Sequence, residues 1–254
     1  MKKLILTLCL LFSATILANP IDDKCSTFVI WGAPQIQIEG NNQYLCKNGY
    51  AINLNYKTKV PYFVVEHIVP AAVTIKTVNR QNNFREDVDV PIKYRVTLKD
   101  YKNVVDIDRG HMAPAGDFTS NAKLMSDSFL LSNMMPQNSA NNRGVWRVTE
   151  ERVRDWAKTS EIYVITGTIY EKNYKIIGNN VGVPTKLYKI IIQPVNNKVI
   201  AFLYPNEKLD IIDIRKYVVP VSVIQEKTGI TFFPKIPVNS KTLLTIPGNY
   251  ATWN

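Results

Sequence analysis

Apolar residues fall along this chain mostly in short unbroken runs bounded by Gly, Pro or Asn, and only rarely with helical spacing. β-Branched and aromatic residues fill the runs at 28–31, 50–54, 62–69, 73–78, 162–168, 188–193 and 199–204, and each reads as a strand. Helical patterns are fewer. Ser120 is placed to cap a helix over 121–131. The 142–158 segment carries Val145, Thr149, Val153, Trp156 and Ala157 close to helical periodicity, and its Trp146 falls on an apolar face suited to core packing. A third helix is expected over 221–227. Strands outnumber helices and do not alternate strictly with them. That pattern predicts an α+β fold, with a mixed, mainly antiparallel sheet, rather than a doubly wound one.

The first residues form a separate unit. Met1-Lys2-Lys3, an apolar run over 4–17 and Ala18-Asn19-Pro20 read as a signal peptide at 1–18 that is removed by cleavage. The run is short for a membrane span, which needs roughly 20 apolar residues, and no later stretch approaches that length. A soluble protein of periplasmic or extracellular location is therefore expected. Residues 19–254 contain no repeat, low-complexity tract or Gly/Ser linker, so they are read as a single domain, with the Asn- and charge-rich 79–89 stretch as a surface loop. Cys9 leaves with the leader, and Cys25 and Cys46 remain as an even pair. A disulfide is the default reading for an oxidising compartment, with free thiols as the alternative. Closing that loop would stabilise the fold by about 3 kcal/mol in the chain-entropy model. The formal charge of +10 predisposes the chain to polyanions without choosing among nucleic acid, anionic lipid and acidic polysaccharide.

The candidate chemistry is concentrated at Asp108-Arg109-Gly110-His111-Met112-Ala113-Pro114. His111 is one of two histidines, so few groups can exchange protons near neutral pH. An imidazole beside a guanidinium suits general-base work on a phosphate ester, although such a histidine can also simply end a strand. His67 sits inside an apolar run with no matching motif and reads as structural. Downstream stand Ser132-Asn133-Met134-Met135-Pro136-Gln137, then Asn141-Asn142-Arg143-Gly144-Val145-Trp146, then Glu150, Arg152 and Arg154. Taken alone, Asn142 could cap a helix and Glu150 could pair with Arg154. The chain has no Walker-A loop, Gly-x-Ser-x-Gly elbow or His-Glu-x-x-His, which argues against NTPase, α/β-hydrolase and zincin chemistry.

Together these motifs and their spacing, over about residues 80–170, resemble the DNA/RNA non-specific endonucleases of the ββα-metal (His-Me finger) superfamily. The resemblance implies a β-ribbon ending at the Asp-Arg-Gly-His turn, a helix crossing it, and one divalent metal between them. It implies His111 as general base and Asn142 as the direct protein ligand of Mg²⁺, with Mn²⁺ as a substitute. Glu150 would orient metal-bound water and Asn133 would support the site. Arg80 and Arg85 compete for one functional position, and Arg109 and Arg154 are further candidates for gripping phosphate. In a regular helix, Asn142 and Glu150 would stand about 12 Å apart along the axis and about 80° apart around it. The implied activity is hydrolysis of DNA and RNA with little sequence preference, leaving 5′-phosphates. The alternatives are a catalytically silent nucleic-acid-binding relative and a basic exported binding module.

Overall fold

The computed structural model describes residues 20–36, 41–210 and 213–253; the leader read at 1–18 lies outside them. A seven-stranded sheet organises the chain. Its strands are β1 (Asn42–Cys46), β2 (Tyr50–Asn55), β3 (Pro61–Ile68), β6 (Ile162–Ile169), β7 (Lys186–Gln193), β8 (Lys198–Pro205) and β9 (Val218–Val219). A separate two-stranded ribbon pairs β4 (Ile107–His111) with β5 (Met134–Asn138). In space the large sheet runs β9-β8-β7-β6-β3-β2-β1, with every neighbouring pair antiparallel.

Both faces of this sheet are covered, which is why its strands read as nearly continuous apolar runs. Alternate residues divide cleanly between two cores. Ile52, Val64, Val164, Leu187, Ile191 and Phe202 face one core, where helix α2 (Arg147–Ala157) and the β4–β5 ribbon pack. Phe63, Val65, Ile165, Ile190 and Ala201 face the other, with Ile21, helix α3 (Val221–Thr228) and Phe232. At roughly 1.5–3 kcal/mol per fully buried large apolar side chain, this two-sided burial dominates the stabilisation of the sheet. The Cys25–Cys46 disulfide ties the segment after the Pro20–Lys24 helix to edge strand β1, with Cα atoms 5.9 Å apart.

Two expected strands do not form. At 28–31 the chain turns instead, because Trp31 (φ 57°) and Gly32 (φ 83°) are both left-handed and cannot continue an extended run. At 73–78 the chain is partly a helical turn, Pro70–Thr74, opened by Pro70, whose fixed φ suits a first helical position. Helix α1 (Ala122–Ser128) starts one residue later than expected. Asn121 rather than Ser120 is the cap, its side chain accepting from the Lys123 and Leu124 amides at 2.9 and 3.1 Å.

The 142–158 helix also differs from expectation. Helical backbone begins at Ser139, capped by the Asn138 side chain, which accepts from the Ala140 and Asn141 amides. It widens over Asn142–Trp146, where Gly144 departs to φ −102°, ψ −112°, and only then becomes regular α2. The ideal-helix separation of Asn142 and Glu150 therefore does not hold. Among the described residues, no helix is long and apolar enough to cross a membrane.

Candidate active site

The site is built on the ribbon. In its register Asp108 faces Gln137, Arg109 faces Pro136, Gly110 faces Met135 and His111 faces Met134. Pro136 is tolerated because a two-stranded ribbon leaves one edge of each strand unpaired. Gly110 is required by close approach: a Cβ there would sit 2.1 Å from Gln137 Oε1 and 2.8 Å from Gln137 Cβ. Gln137 in turn donates to Asn141 Oδ1 (3.0 Å), and Asn141 Nδ2 donates to the Pro205 carbonyl on β8 (2.9 Å). Asn141 is thus wholly buried and committed to anchoring the ribbon on the sheet.

Asn133 fastens the chain leaving His111. Its Oδ1 accepts from the Ala113 amide (3.0 Å), and its Nδ2 donates to the Ala113 and Ser128 carbonyls (2.9 Å each). His111 itself is 8% exposed. Phe129 meets its ring edge-on at 4.9 Å, and Phe84 lies tilted at 5.5 Å. Its Nε2 is buried with no hydrogen-bond partner. Burial, then repulsion from Arg80 and Arg109, depress its pKa from 6.5 to about 3. The imidazole is neutral through the physiological range, and charging it costs on the order of 5 kcal/mol.

Beside it opens a polar cavity of about 350 Å³, lined by Arg80, Phe84, Tyr101, Asp108, Arg109, Asn142 and Arg143, among others. Both candidate arginines on this wall lie over aromatic rings: Arg80 is 5.0 Å from the Phe129 centroid, and Arg109 is 4.3 Å from that of Phe84. Each such contact contributes roughly 0.5–1 kcal/mol at an exposed position and holds the guanidinium plane in place. Asp108 organises the Asn142 and Arg143 part of the wall. It accepts from Ser139 Oγ (2.9 Å), from Asn142 Nδ2 (2.9 Å), and from Arg143 through two nitrogens at 2.9 and 2.7 Å. Although burial pushes its pKa up, these bonds hold the carboxylate below its ordinary range. With its amide nitrogen donated to Asp108, Asn142 leaves its Oδ1 without a protein donor among the described residues.

Glu150 is half-buried on α2. Burial pushes its pKa up to about 7, against the pull of Lys189 and Arg154 and with repulsion from Asp117. Arg80 also lies within its field. The other candidates stand apart from the cavity. Arg85 donates to the Ser126 carbonyl (2.7 Å) and pairs with Asp127 (3.3 Å), and Arg154 pairs with buried Asp117 at 2.9 Å. His67, on β3, stacks on Tyr163 at 4.1 Å and meets Glu161 at 3.0 Å. A larger groove of about 920 Å³ shares Ile107 with the site, but its walls mix Asp106, Glu171 and Glu207 with Lys175 and Lys186. That balance does not favour a polyanion.

Sequence reasoning missed several members of this site. Arg143 was adjacent to a candidate, and Phe84 stood in the Asn83-Phe84-Arg85 stretch, so both carried some local signal. Tyr101 and Phe129 carried none, since nothing in their neighbourhood distinguishes them from core aromatics.

Comparison with known proteins shows the family of the chain. Residues 32–239 match the family model described as DNA/RNA non-specific endonuclease. The chain is 36% identical to Nuclease C1 of Cunninghamella echinulata var. echinulata over 217 residues, covering 78% of this chain and 85% of that protein. It is 34% identical to the mitochondrial nuclease of Saccharomyces cerevisiae, covering 75% of this chain and 65% of that protein. The solved EndoG/EndoGI complex contains a chain that superposes with a TM-score of 0.76 at 29% identity, covering 84% of this chain and 92% of that one.

These relatives also correct one expectation. Those from Saccharomyces cerevisiae, Schizosaccharomyces pombe, Danio rerio and Homo sapiens are named as mitochondrial nucleases. Their compartment is neither periplasmic nor extracellular, and the export reading is withdrawn. The motif reading stands: with its antiparallel sheet and ribbon-and-helix site, the chain belongs to the DNA/RNA non-specific endonuclease family, nucleases that hydrolyse DNA and RNA.

Proposed function

We propose that this protein is a Mg²⁺-dependent endonuclease in which His111 is the general base, and that it cuts DNA and RNA with little sequence preference. The observation that carries this reading is the cavity itself. It brings together two guanidiniums and an uncommitted amide oxygen, with only the Phe84 ring between them and a neutral imidazole whose Nε2 has no protein partner. A divalent cation belongs to this chemistry, and Asn142 Oδ1 is the protein atom suited to hold it. Mg²⁺ accepts few protein oxygens and keeps the rest of its sphere for water and phosphate. When bound, it supplies positive charge against the phosphate and the leaving 3′-oxygen.

The protein's own residues do the rest. Asp108 fixes the Asn142 amide so that its oxygen points away from its own hydrogen bond. Arg80 and Arg109 grip non-bridging phosphate oxygens and oppose the charge that grows in the transition state. His111 Nε2 takes the proton of the water that attacks phosphorus in line with the 3′-oxygen; the P–O3′ bond breaks, the 3′-oxygen leaves as a hydroxyl protonated from solvent, and the product carries a 5′-phosphate. His111 stands one ring behind the cavity wall, so substrate must displace the Phe84–Arg80 side to reach it. Of the two competing arginines, Arg80 is the better supported, because Arg85 is spent on Ser126 and Asp127. Contacts directed at phosphate carry no sequence information, which accounts for the low specificity.

The test is digestion of supercoiled DNA and of RNA at constant ionic strength, with and without chelator. Cleavage of both that stops with chelator and returns on adding Mg²⁺ is expected. Undiminished cleavage in chelator rules the reading out.

A further inference from the structure

Five ionisable side chains interact between the sheet and α2, and among them only Glu150 and Arg154 are candidates for the chemistry that the family resemblance implies. Glu66 on β3 and Lys189 on β7 are 2% and 1% exposed, and both point to the sheet face that carries α2. Asp117, 3% exposed, lies in the Ala115–Phe118 turn, six residues beyond His111. Glu150 and Arg154 come from α2. Trp146, Glu150 and Arg154 follow one another at four-residue intervals, so they form one column along the helix. Lys189 abuts the head of this column. Its Nζ donates to Thr166 Oγ1 on β6 at 2.6 Å and lies 5.0 Å from the Trp146 ring centroid. Arg154 closes the foot, bonded at 2.9 Å to Asp117 and therefore to the loop that leaves His111.

Stability does not account for a lysine at this place. A buried ammonium loses its hydration, and replacing buried charges by apolar groups of similar volume is often neutral or stabilising. The charges are also unequal in number, with three carboxylates facing two cations. Glu66 Oε2 has no hydrogen-bond partner, and burial followed by repulsion from Asp117 raises its pKa well above the usual value. Burial raises the pKa of Asp117 as well. Lys189 and Arg154 lower both Asp117 and Glu150 and so oppose that burial.

We propose that Lys189 is a positioning residue of the nuclease reaction, anchoring the Trp146–Glu150–Arg154 column of α2 to the sheet and so fixing the Glu150 carboxylate. This rests on the role given to the His111 and Asn142 site and on Glu150 acting there as the family resemblance implies. The field of Lys189 is the foremost influence opposing the desolvation of Glu150, ahead of Arg154; Asp117 acts in the opposite sense, and Arg80 faces Glu150 from the loop above. Removing Lys189 therefore has an electrostatic consequence that a loss of packing lacks.

The test is Mg²⁺-dependent cleavage measured across roughly pH 5.5–9 for the wild type, Lys189→Met and the double variant Glu66→Gln/Lys189→Met. The double variant removes one carboxyl together with the lysine and so keeps the core's excess of one carboxyl over its cations, which guards against a single variant that fails to fold. In both variants kcat should fall about tenfold or more with KM nearly unchanged. The acid limb of the rate profile should move up by about one pH unit, because a lost neighbouring cation makes the carboxylate harder to ionise. A folded double variant with wild-type kcat and an unmoved acid limb overturns the proposal alone. A wild type inert with Mg²⁺ sinks the functional reading and this inference with it.

Discussion

Single side chains here are tuned by what surrounds them more than by what they touch. His111 is the clearest case: aromatic walls and two arginines keep it neutral, and no protein atom occupies its Nε2. His111→Ala should lower turnover by roughly 10²–10⁴-fold, the usual contribution of a positioned base. His67, stacked on Tyr163 far along β3, is the control. The same burial has a consequence for stability. A histidine with a depressed folded pKa contributes fully above its unfolded value of 6.5, and the contribution fades as pH falls toward the folded value of about 3. Glu150 acts with the opposite sign, since its pKa is raised to about 7, but it is common to both proteins. Thermal melts at neutral pH and two units below 6.5 should therefore show the wild type losing about 2–3 kcal/mol relative to His111→Ala. Parallel pH dependences for the two proteins would refute a buried, neutral His111.

At the scale of elements, the ribbon and the irregular start of the helix aim the chemistry. Gly110 lets β4 and β5 close on Gln137, and Gln137 passes that constraint through Asn141 to β8. Gly110→Ala places a methyl group against Gln137 and breaks this relay. Overpacking of this kind costs about 1–3 kcal/mol, so a melting point several degrees lower is expected, with activity falling by more than the unfolded fraction explains. An unchanged melting point would show that the contact relaxes freely. The motif spacing marked the candidate site in sequence, but its geometry was not legible there. No periodicity marks the widened turn at Asn142–Trp146, because Gly144 changes the helix without changing which residues are apolar. The ribbon strands were equally silent as patterns: Ile107–His111 is mostly polar, and Met134–Asn138 contains a proline. Their existence was implied only by family resemblance.

For the molecule as a whole, the long central strands were readable because both faces of the sheet are buried, and a strand so placed must be apolar almost throughout. The edges were not: β1 reads Asn-Gln-Tyr-Leu-Cys, and β9 is two residues long. Glu66 and Lys189 broke otherwise apolar runs, a signal visible in sequence whose meaning depends on α2 lying above them. This layered arrangement also separates the neighbouring asparagines, giving Asn141 to the sheet and Asn142 to the cavity. That division is where the account is most exposed. The most direct measurement is cleavage against Mg²⁺ concentration for the wild type, Asn141→Ala and Asn142→Ala at fixed ionic strength, with melting points taken alongside. Asn142→Ala should keep its melting point and require far more Mg²⁺ for a much lower rate, whereas Asn141→Ala should melt earlier while its surviving folded fraction responds to Mg²⁺ like the wild type. A Asn142→Ala protein with the wild-type rate and Mg²⁺ response would contradict the assignment of the metal to this cavity.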